Sequence, residues 1–125
     1  MRKILLDTNF LLIPSQFNVD IFTEIDRIMH ENYGLFVLDK TIDELEKIIS
    51  NKKQSLKHRH AAKLGMQLLR AKKVHVIETK EDLSVDDLIA KQEGYIIATQ
   101  DIELKRRLKD KKIITLRAKK KLILF

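Results

Sequence analysis

No cysteine occurs among the 125 residues, which excludes disulfides, Cys-ligated zinc and iron–sulfur clusters as designs for this chain. Tryptophan is also missing and aromatics make up only 6% of the residues, so stacking on single-stranded bases is at most a minor mode of binding. Proline appears once, at Pro14, and glycine three times. There is accordingly no glycine-rich loop to cradle phosphates and no Gly/Ser hinge to divide the chain. No apolar run approaches the roughly 20 residues needed to cross a bilayer. Met1-Arg2-Lys3 leads at once into an apolar stretch too short for a secretory signal, with no small-residue cleavage site after it. These absences set the expectation of a single domain over residues 1–125, cytoplasmic and without a membrane partner.

Acids are in the minority as well. Asp and Glu number 18 against 25 Lys and Arg, a formal net charge of +7, and this excess favours a polyanion such as nucleic acid as partner. A bland reading competes with it, since abundant Lys and Glu with little Gly, Pro or Cys is also a composition of thermostable proteins.

What is present is a series of short apolar runs: Ile4-Leu5-Leu6, Leu35-Phe36-Val37-Leu38, Val74-His75-Val76-Ile77, Tyr95-Ile96-Ile97-Ala98 and Ile113-Ile114-Thr115-Leu116. Segments of helical period separate them. Near-continuous hydrophobicity in short strands alternating with helices is the pattern of a parallel sheet covered on both faces. The spacing of Val19, Phe22, Ile25, Ile28 and Met29 predicts a first helix over about Asn18 to His30, capped by Asn18 or Asp20. Thr41 is expected to open the next, and a further helix covers roughly Leu56 to Arg70, with Ala61, Leu64, Leu68 and Leu69 inward. Ser84 starts a short helix that Gly94 ends as a C′ glycine, and Asp101 starts another through about Lys109. The tail Lys119 to Phe125 alternates poorly and is open to three readings: edge strand, docking segment or frayed end.

Asp7 follows the first strand directly. Glu44 lies in the first turn of the helix after the second strand, Asp86 and Asp87 in the first turn after Ser84, and Asp101 just past the fourth strand. In a parallel sheet with right-handed crossovers, strand carboxyl ends and helix amino ends share one edge, so these acids face one rim. Clustered carboxylates repel, and burying them calls for a cation or proton uptake. Oxygen-only ligands suit Mg²⁺ or Mn²⁺, and a hydrated divalent ion can polarise a phosphoryl oxygen and activate water for phosphodiester hydrolysis. Asn9 and Thr99 supply neutral groups to orient a carboxylate or a water. Each acid also has a duller reading: Thr41 and Glu44 have capping-box spacing, Ser84 and Asp87 similar spacing, and Asp101 can be a helix N-cap. Asp7 has no helix of its own to cap.

These residues resemble the PIN-domain family, the small α/β fold of magnesium-dependent ribonucleases, over nearly the whole chain. The resemblance rests on Leu5-Leu6-Asp7-Thr8-Asn9 with Leu11-Leu12, on Ile42-Asp43-Glu44-Leu45-Glu46, on Asp86-Asp87-Leu88-Ile89-Ala90, and on Ala98-Thr99-Gln100-Asp101 with Leu104. It implies a three-layer α/β/α domain with a central, mainly parallel sheet of about four to five strands. It implies an endoribonuclease in which Asp7, Glu44, Asp86 and Asp101 hold Mg²⁺ or Mn²⁺, supported by Thr99 and Asn9, leaving 5′-phosphate and 3′-hydroxyl ends. Asp43 and Asp87 are the substitutes if the register is off by one. The partner implied is RNA; self-association, an antitoxin for a VapC-like toxin and a pre-ribosomal particle for an rRNA-processing enzyme all stay open.

Lys105, Arg106, Arg107 and Lys109 follow Asp101 and could grip phosphates, while Lys52, Lys53, Lys57, His58, Arg59 and His60 form a second basic cluster. A solvated face is the simpler account of any one lysine. His58 and His60, two residues apart, do not share a helix face. A haloacid-dehalogenase-type phosphatase would need a second Asp where Asn9 stands, and a receiver domain an Asp after the third strand, where only Glu78 occurs. The remaining rival is a PIN-like module that binds RNA or assembles a ribosomal complex without cutting.

Overall fold

Each short apolar run becomes a strand because both of its faces are covered. In the computed structural model, which describes residues 1–125, there are six strands: β1 (Arg2–Leu6), β2 (Tyr33–Leu38), β3 (His75–Ile77), β4 (Tyr95–Ala98), β5 (Ile113–Arg117) and β6 (Lys121–Leu124). They form one sheet in the order β3-β2-β1-β4-β5-β6. All neighbours are parallel except β6, which returns antiparallel to β5. The sheet thus has one strand more than the expected four to five, because the basic tail folds back as an edge strand. Ala118 and Lys119, both left-handed (φ 54° and 58°), form a turn closed by the Lys120 amide donating to the Arg117 carbonyl.

Alternation along the strands sorts the core into two layers. Ile4 and Leu6 of β1, Ile96 and Ala98 of β4 and Ile114 of β5 face the larger cluster, built with α1 (Ile13–Phe17), α2 (Ile21–Ile28), α3 (Asp39–Ser50) and α4 (Leu56–Ala71). Leu5, Ile97 and Ile113 face the other way, onto Val85, Leu88 and Ile89 of α5 (Val85–Lys91) and Leu104 of α6 (Ile102–Arg107). This is the three-layer α/β/α arrangement. The chain winds from β1 outward to β2 and β3, then recrosses to β4 on the other side of β1. Such a reversal leaves a crevice outside the carboxyl ends of the two strands concerned, here β1 and β4.

Several local expectations shift. The segment after Asp7 is not a plain loop: a 3₁₀ turn at Asn9–Leu12 leads into α1, and the helix expected over Asn18 to His30 is only Ile21–Ile28, with Asp20 accepting from the Phe22 and Thr23 amides as its cap. Phe10, Leu11 and Leu12 are buried, so tertiary packing sets this turn. Gly65 of α4 allows the close approach, since a Cβ there would stand 2.7 Å from the Leu11 carbonyl oxygen. The helix carrying Glu44 begins at Asp39 rather than Thr41. Thr41 lies inside it, fully buried, so the capping box with Glu44 does not form. The α5 helix ends at Lys91 with Gln92 as its cap, which puts Gly94 (φ 81°) in the turn before β4 and not at C′. The helix after Asp101 stops at Arg107, and Leu64 and Leu68 are only half-buried.

The Thr41 hydroxyl is buried without a hydrogen-bond partner. An unpaired buried hydroxyl costs about 1–3 kcal/mol, so Thr41→Val is expected to leave stability unchanged or raise it by about 1 kcal/mol in urea unfolding. A loss of stability of that size would show that the hydroxyl has a partner.

Candidate active site

Strand β1 ends because Asp7 turns out of the sheet, its amide still bonded to the Ala98 carbonyl of β4 at 2.9 Å. Asp7 is buried, 3% exposed as a residue. Oδ1 accepts from the Thr8 amide at 2.8 Å and Oδ2 from the Thr99 hydroxyl at 2.7 Å. Thr99, itself fully buried, follows β4, and its Oγ1 also accepts from the Asp101 amide at 3.1 Å. Asn9 Oδ1 accepts from the Gln100 amide at 3.1 Å and lies 3.4 Å from Thr99 Oγ1. One small network therefore locks Asp7, Asn9, Thr99 and the start of α6 together across the crevice.

Around this network stand the other acids. Glu44, exposed on α3, reaches over to accept a hydrogen bond from the Thr8 hydroxyl. Asp86, half-buried in the first turn of α5, lies close enough to Asp7 and Asp101 for their charges to interact. Asp101 caps α6 through Oδ1, which accepts from the Glu103 and Leu104 amides at 2.9 and 3.2 Å. Its cap role and its place at the mouth coexist. Asp87 is differently employed: its carboxylate accepts from Arg107 at 2.8 Å while its amide donates to Ser84 Oγ. That pairing holds Asp87 below the usual carboxylate range and leaves Asp86 as the member of the pair facing the mouth. Asp43 is exposed and makes no bond to the network.

The electrostatics mark the mouth more sharply than the spacing. Burial pushes the Asp7 carboxyl up to about 6 from its ordinary 3.8; the Thr99 and Thr8 bonds pull it back, and the charges of Asp86 and Glu44 push it further up. Burial also raises Asp86, as does Asp101, against the opposing influence of Arg107. A carboxylate forced into such company lowers its energy by taking up a proton or a cation. No three of the acidic or imidazole side chains converge tightly enough to enclose a cation by themselves. The oxygen-only donor set and open spacing fit an ion that keeps part of its water shell and takes one or two protein carboxylates, which is the habit of Mg²⁺.

Sequence reasoning passed over two residues that build the site. Thr8 bridges β1 to Glu44 through its hydroxyl, and Gln100 Oε1 accepts from Thr115 Oγ1 and the Leu116 amide, both at 2.7 Å, tying the loop after β4 to β5. A further rim acid, Asp39, is spent on the Thr79 amide and hydroxyl at 3.0 and 2.7 Å. Of the basic residues after Asp101, Arg106 pairs with Glu103 and Arg107 with Asp87, while Lys105 is half-buried. In the second cluster Arg59 donates from Nε to the Ile49 carbonyl near the end of α3.

Comparison with known proteins agrees with this fold. The model of the PIN like domain family matches residues 4–119. Ribonuclease VapC4 of Methanocaldococcus jannaschii is 27% identical over 116 residues, spanning 90% of this chain and 87% of that protein. Among solved structures, the PIN domain endonuclease Utp24 superposes with a TM-score of 0.76 at 21% identity, covering 98% of this chain and 90% of that one. A domain of a functionally unknown protein from Methanocaldococcus jannaschii superposes at 0.56 and 12% identity, over 94% and 93% of the two chains. At those identities the structural likenesses show the fold.

The raised Asp7 carboxyl has a measurable sign. Its contribution to stability is fully present below the unfolded value near 3.8, where it is protonated, and is lost as pH rises through about 6. Asp7→Asn is neutral throughout, and its amide can donate to Thr99 Oγ1 while that hydroxyl turns to Asn9. In chelator, the variant is expected to be more stable than the parent by about 3 kcal/mol at pH 8, the gap closing toward pH 4. A gap that does not change with pH, measured by thermal unfolding, would contradict the buried-charge account.

Proposed function

The chain belongs to the PIN-domain family, and from that premise we propose that its acidic mouth is the active centre of an Mg²⁺- or Mn²⁺-dependent endoribonuclease. The observation that carries the reading is Asp7: a buried carboxylate at the β1/β4 crevice whose charged neighbours, Asp86 and Glu44, are themselves acids. A structural acid in a core is normally matched by a cation or left to hydrogen bonds alone. RNA as substrate is supported by the chain's net charge of +7 and by its ribonuclease relative.

In this reading Asp7, Glu44, Asp86 and Asp101 would hold the metal, one or two of them directly and the others through its water shell. The bound ion supplies positive charge to a phosphoryl oxygen and to the leaving oxygen, and lowers the pKa of water. Thr99 fixes the carboxylate plane of Asp7 by its hydroxyl, and Asn9 fixes the Gln100 amide, so the acids keep their directions when charged. Thr8 holds Glu44 toward the crevice from the exposed helix face. Arg107, by occupying Asp87, keeps that carboxylate from competing for the ion. The rival reading, a PIN-like module that binds RNA or assembles a ribonucleoprotein without cutting, draws on the open spacing of the acids.

One assay separates the two. The purified protein with Mn²⁺ or Mg²⁺ is expected to cleave single-stranded or structured RNA, and chelator to stop it. Asp7→Asn should lower the rate by about 100-fold or more, Thr99→Val should weaken Mn²⁺ binding in calorimetry by about 10–100-fold, and Asp87→Asn should retain most activity. Mn²⁺ uptake should weaken as pH falls below about 6, where Asp7 gains its proton. Equal cleavage by Asp7→Asn and the parent would remove the Asp7 mouth as the cutting site, and no cleavage by the parent across a broad RNA panel would leave the binding module as the function.

A further inference from the structure

Strand β5 runs parallel to β4 and β1, so its carboxyl end lies on the same rim as Asp7. Ala98 is level with Ile114 and Thr99 therefore with Thr115, its amide bonding the Ile114 carbonyl, and the strand continues two residues past Thr115 to Arg117 before turning. At about 3.4 Å per residue, the hairpin tip stands roughly 7–10 Å above the acidic mouth. Three strand spacings of about 4.8 Å put β6 some 14 Å to the side of β1. Gln100 braces the hairpin's base against the loop that carries Thr99 and Asp101. The hairpin is therefore a rigid neighbour of the site.

Its tip is strongly cationic. Arg117, Lys119, Lys120 and Lys121 are all exposed, and none of them takes part in an ion pair, in contrast to Arg106 and Arg107 beside the mouth. Below it a groove of about 760 Å³ runs between α2 and β6, with Arg27, His30, Arg117, Lys120 and Lys121 among its lining residues; no acid lines it, although Arg27 is paired with Glu24 on α2. The turn itself is costly in form: both central residues, Ala118 and Lys119, are left-handed without being glycine or asparagine. A glycine would suit the position of Lys119 better, yet would present no charge.

We propose that the β5–β6 hairpin holds the phosphates of the RNA strand on one side of the mouth, through Arg117, Lys119, Lys120 and Lys121, and that the strand continues along the groove toward Arg27 and His30. This rests on the reading of the mouth as an RNA-cutting site, and it adds a direction to the substrate path. The sideways distance from β1 to β6 amounts to a few nucleotides of a single strand, so the hairpin grips a flank and leaves the reacting phosphate to the acids. The cations supply affinity without base readout.

The test measures binding of a fluorescent mixed-sequence single-stranded RNA of about 20 nucleotides to the full chain carrying Asp7→Asn. Adding Lys119→Gly with Lys120→Ser should weaken binding about three- to tenfold. It should also reduce the slope of log affinity against log salt by about 1.4, at 0.7 for each lost phosphate contact. The melting temperature should equal or exceed the parent's, because glycine relieves the left-handed turn. Unchanged affinity and slope in the folded variant would overturn the proposal. So would an equal loss from Lys52→Gln with Lys53→Gln, at the far end of α3, which would point to net charge alone. Preferential binding of poly-glutamate over RNA would assign the groove to an acidic peptide and overturn it too. If the hairpin change lowers affinity while the unsubstituted protein cuts no RNA, the binding path stands and the nuclease reading fails.

Discussion

The hydrogen bond from Thr99 Oγ1 to Asp7 Oδ2 joins the ends of β1 and β4 at the point where the winding of the sheet reverses. The same hydroxyl accepts from the amide of Asp101, so a single buried oxygen sets the direction of one acid and the starting point of the helix bearing another. Charged hydrogen bonds of this kind contribute about 1.5–3 kcal/mol. That is of the same order as the cost of burying Asp7, which is why the carboxylate can be kept in the crevice at all. The network of Thr8, Asn9 and Gln100 extends this bond outward, to Glu44 on one side and to β5 on the other.

The rest of the rim is arranged so that few carboxylates remain uncommitted. Asp39 is satisfied by Thr79, and Asp87 by Arg107 and Ser84. Asp7 and Asp86 are left with raised carboxyls and carboxylate neighbours. In a chain of net charge +7 this makes a small negative mouth in a positive surface. A polyanion approaches such a surface readily but cannot settle at the mouth without a cation there, and this links the fold's electrostatics to the metal-dependent chemistry proposed for the mouth.

Much of this was legible in the residues. The five parallel strands stood out because burial on both faces makes them continuously apolar, and Asp7 because an acid ending a buried strand has no local duty. Five of the six helices were legible, α1 being missed, and their ends were less so. Thr41 looked like a cap because its spacing to Glu44 is that of a capping box, yet the helix starts two residues earlier at Asp39, bonded to Thr79, a partner forty residues away. The 3₁₀ turn at Asn9–Leu12 was hidden because its residues are shaped by contact with Gly65 and not by local preference. Strand β6 was ambiguous for a related reason: Lys121 to Leu124 do not alternate cleanly. Their outer edge is closed by Glu24 and Arg27, which bond the Leu122 amide and carbonyl. Type and spacing allowed Asp101 as a helix cap or as a rim acid, and in the structure it caps α6 while standing near Asp86 at the mouth.

The central claim is that Asp7 and its acidic neighbours form a divalent-cation site. The most direct measurement is a crystal structure of the protein soaked in Mn²⁺, with the anomalous signal locating the ion. The account predicts a peak at the β1/β4 crevice, bonded to Asp7 and bridged by waters or directly to Glu44, Asp86 or Asp101. An empty crevice at millimolar Mn²⁺ and pH 7.5, or a peak that leaves Asp7 untouched, would contradict it.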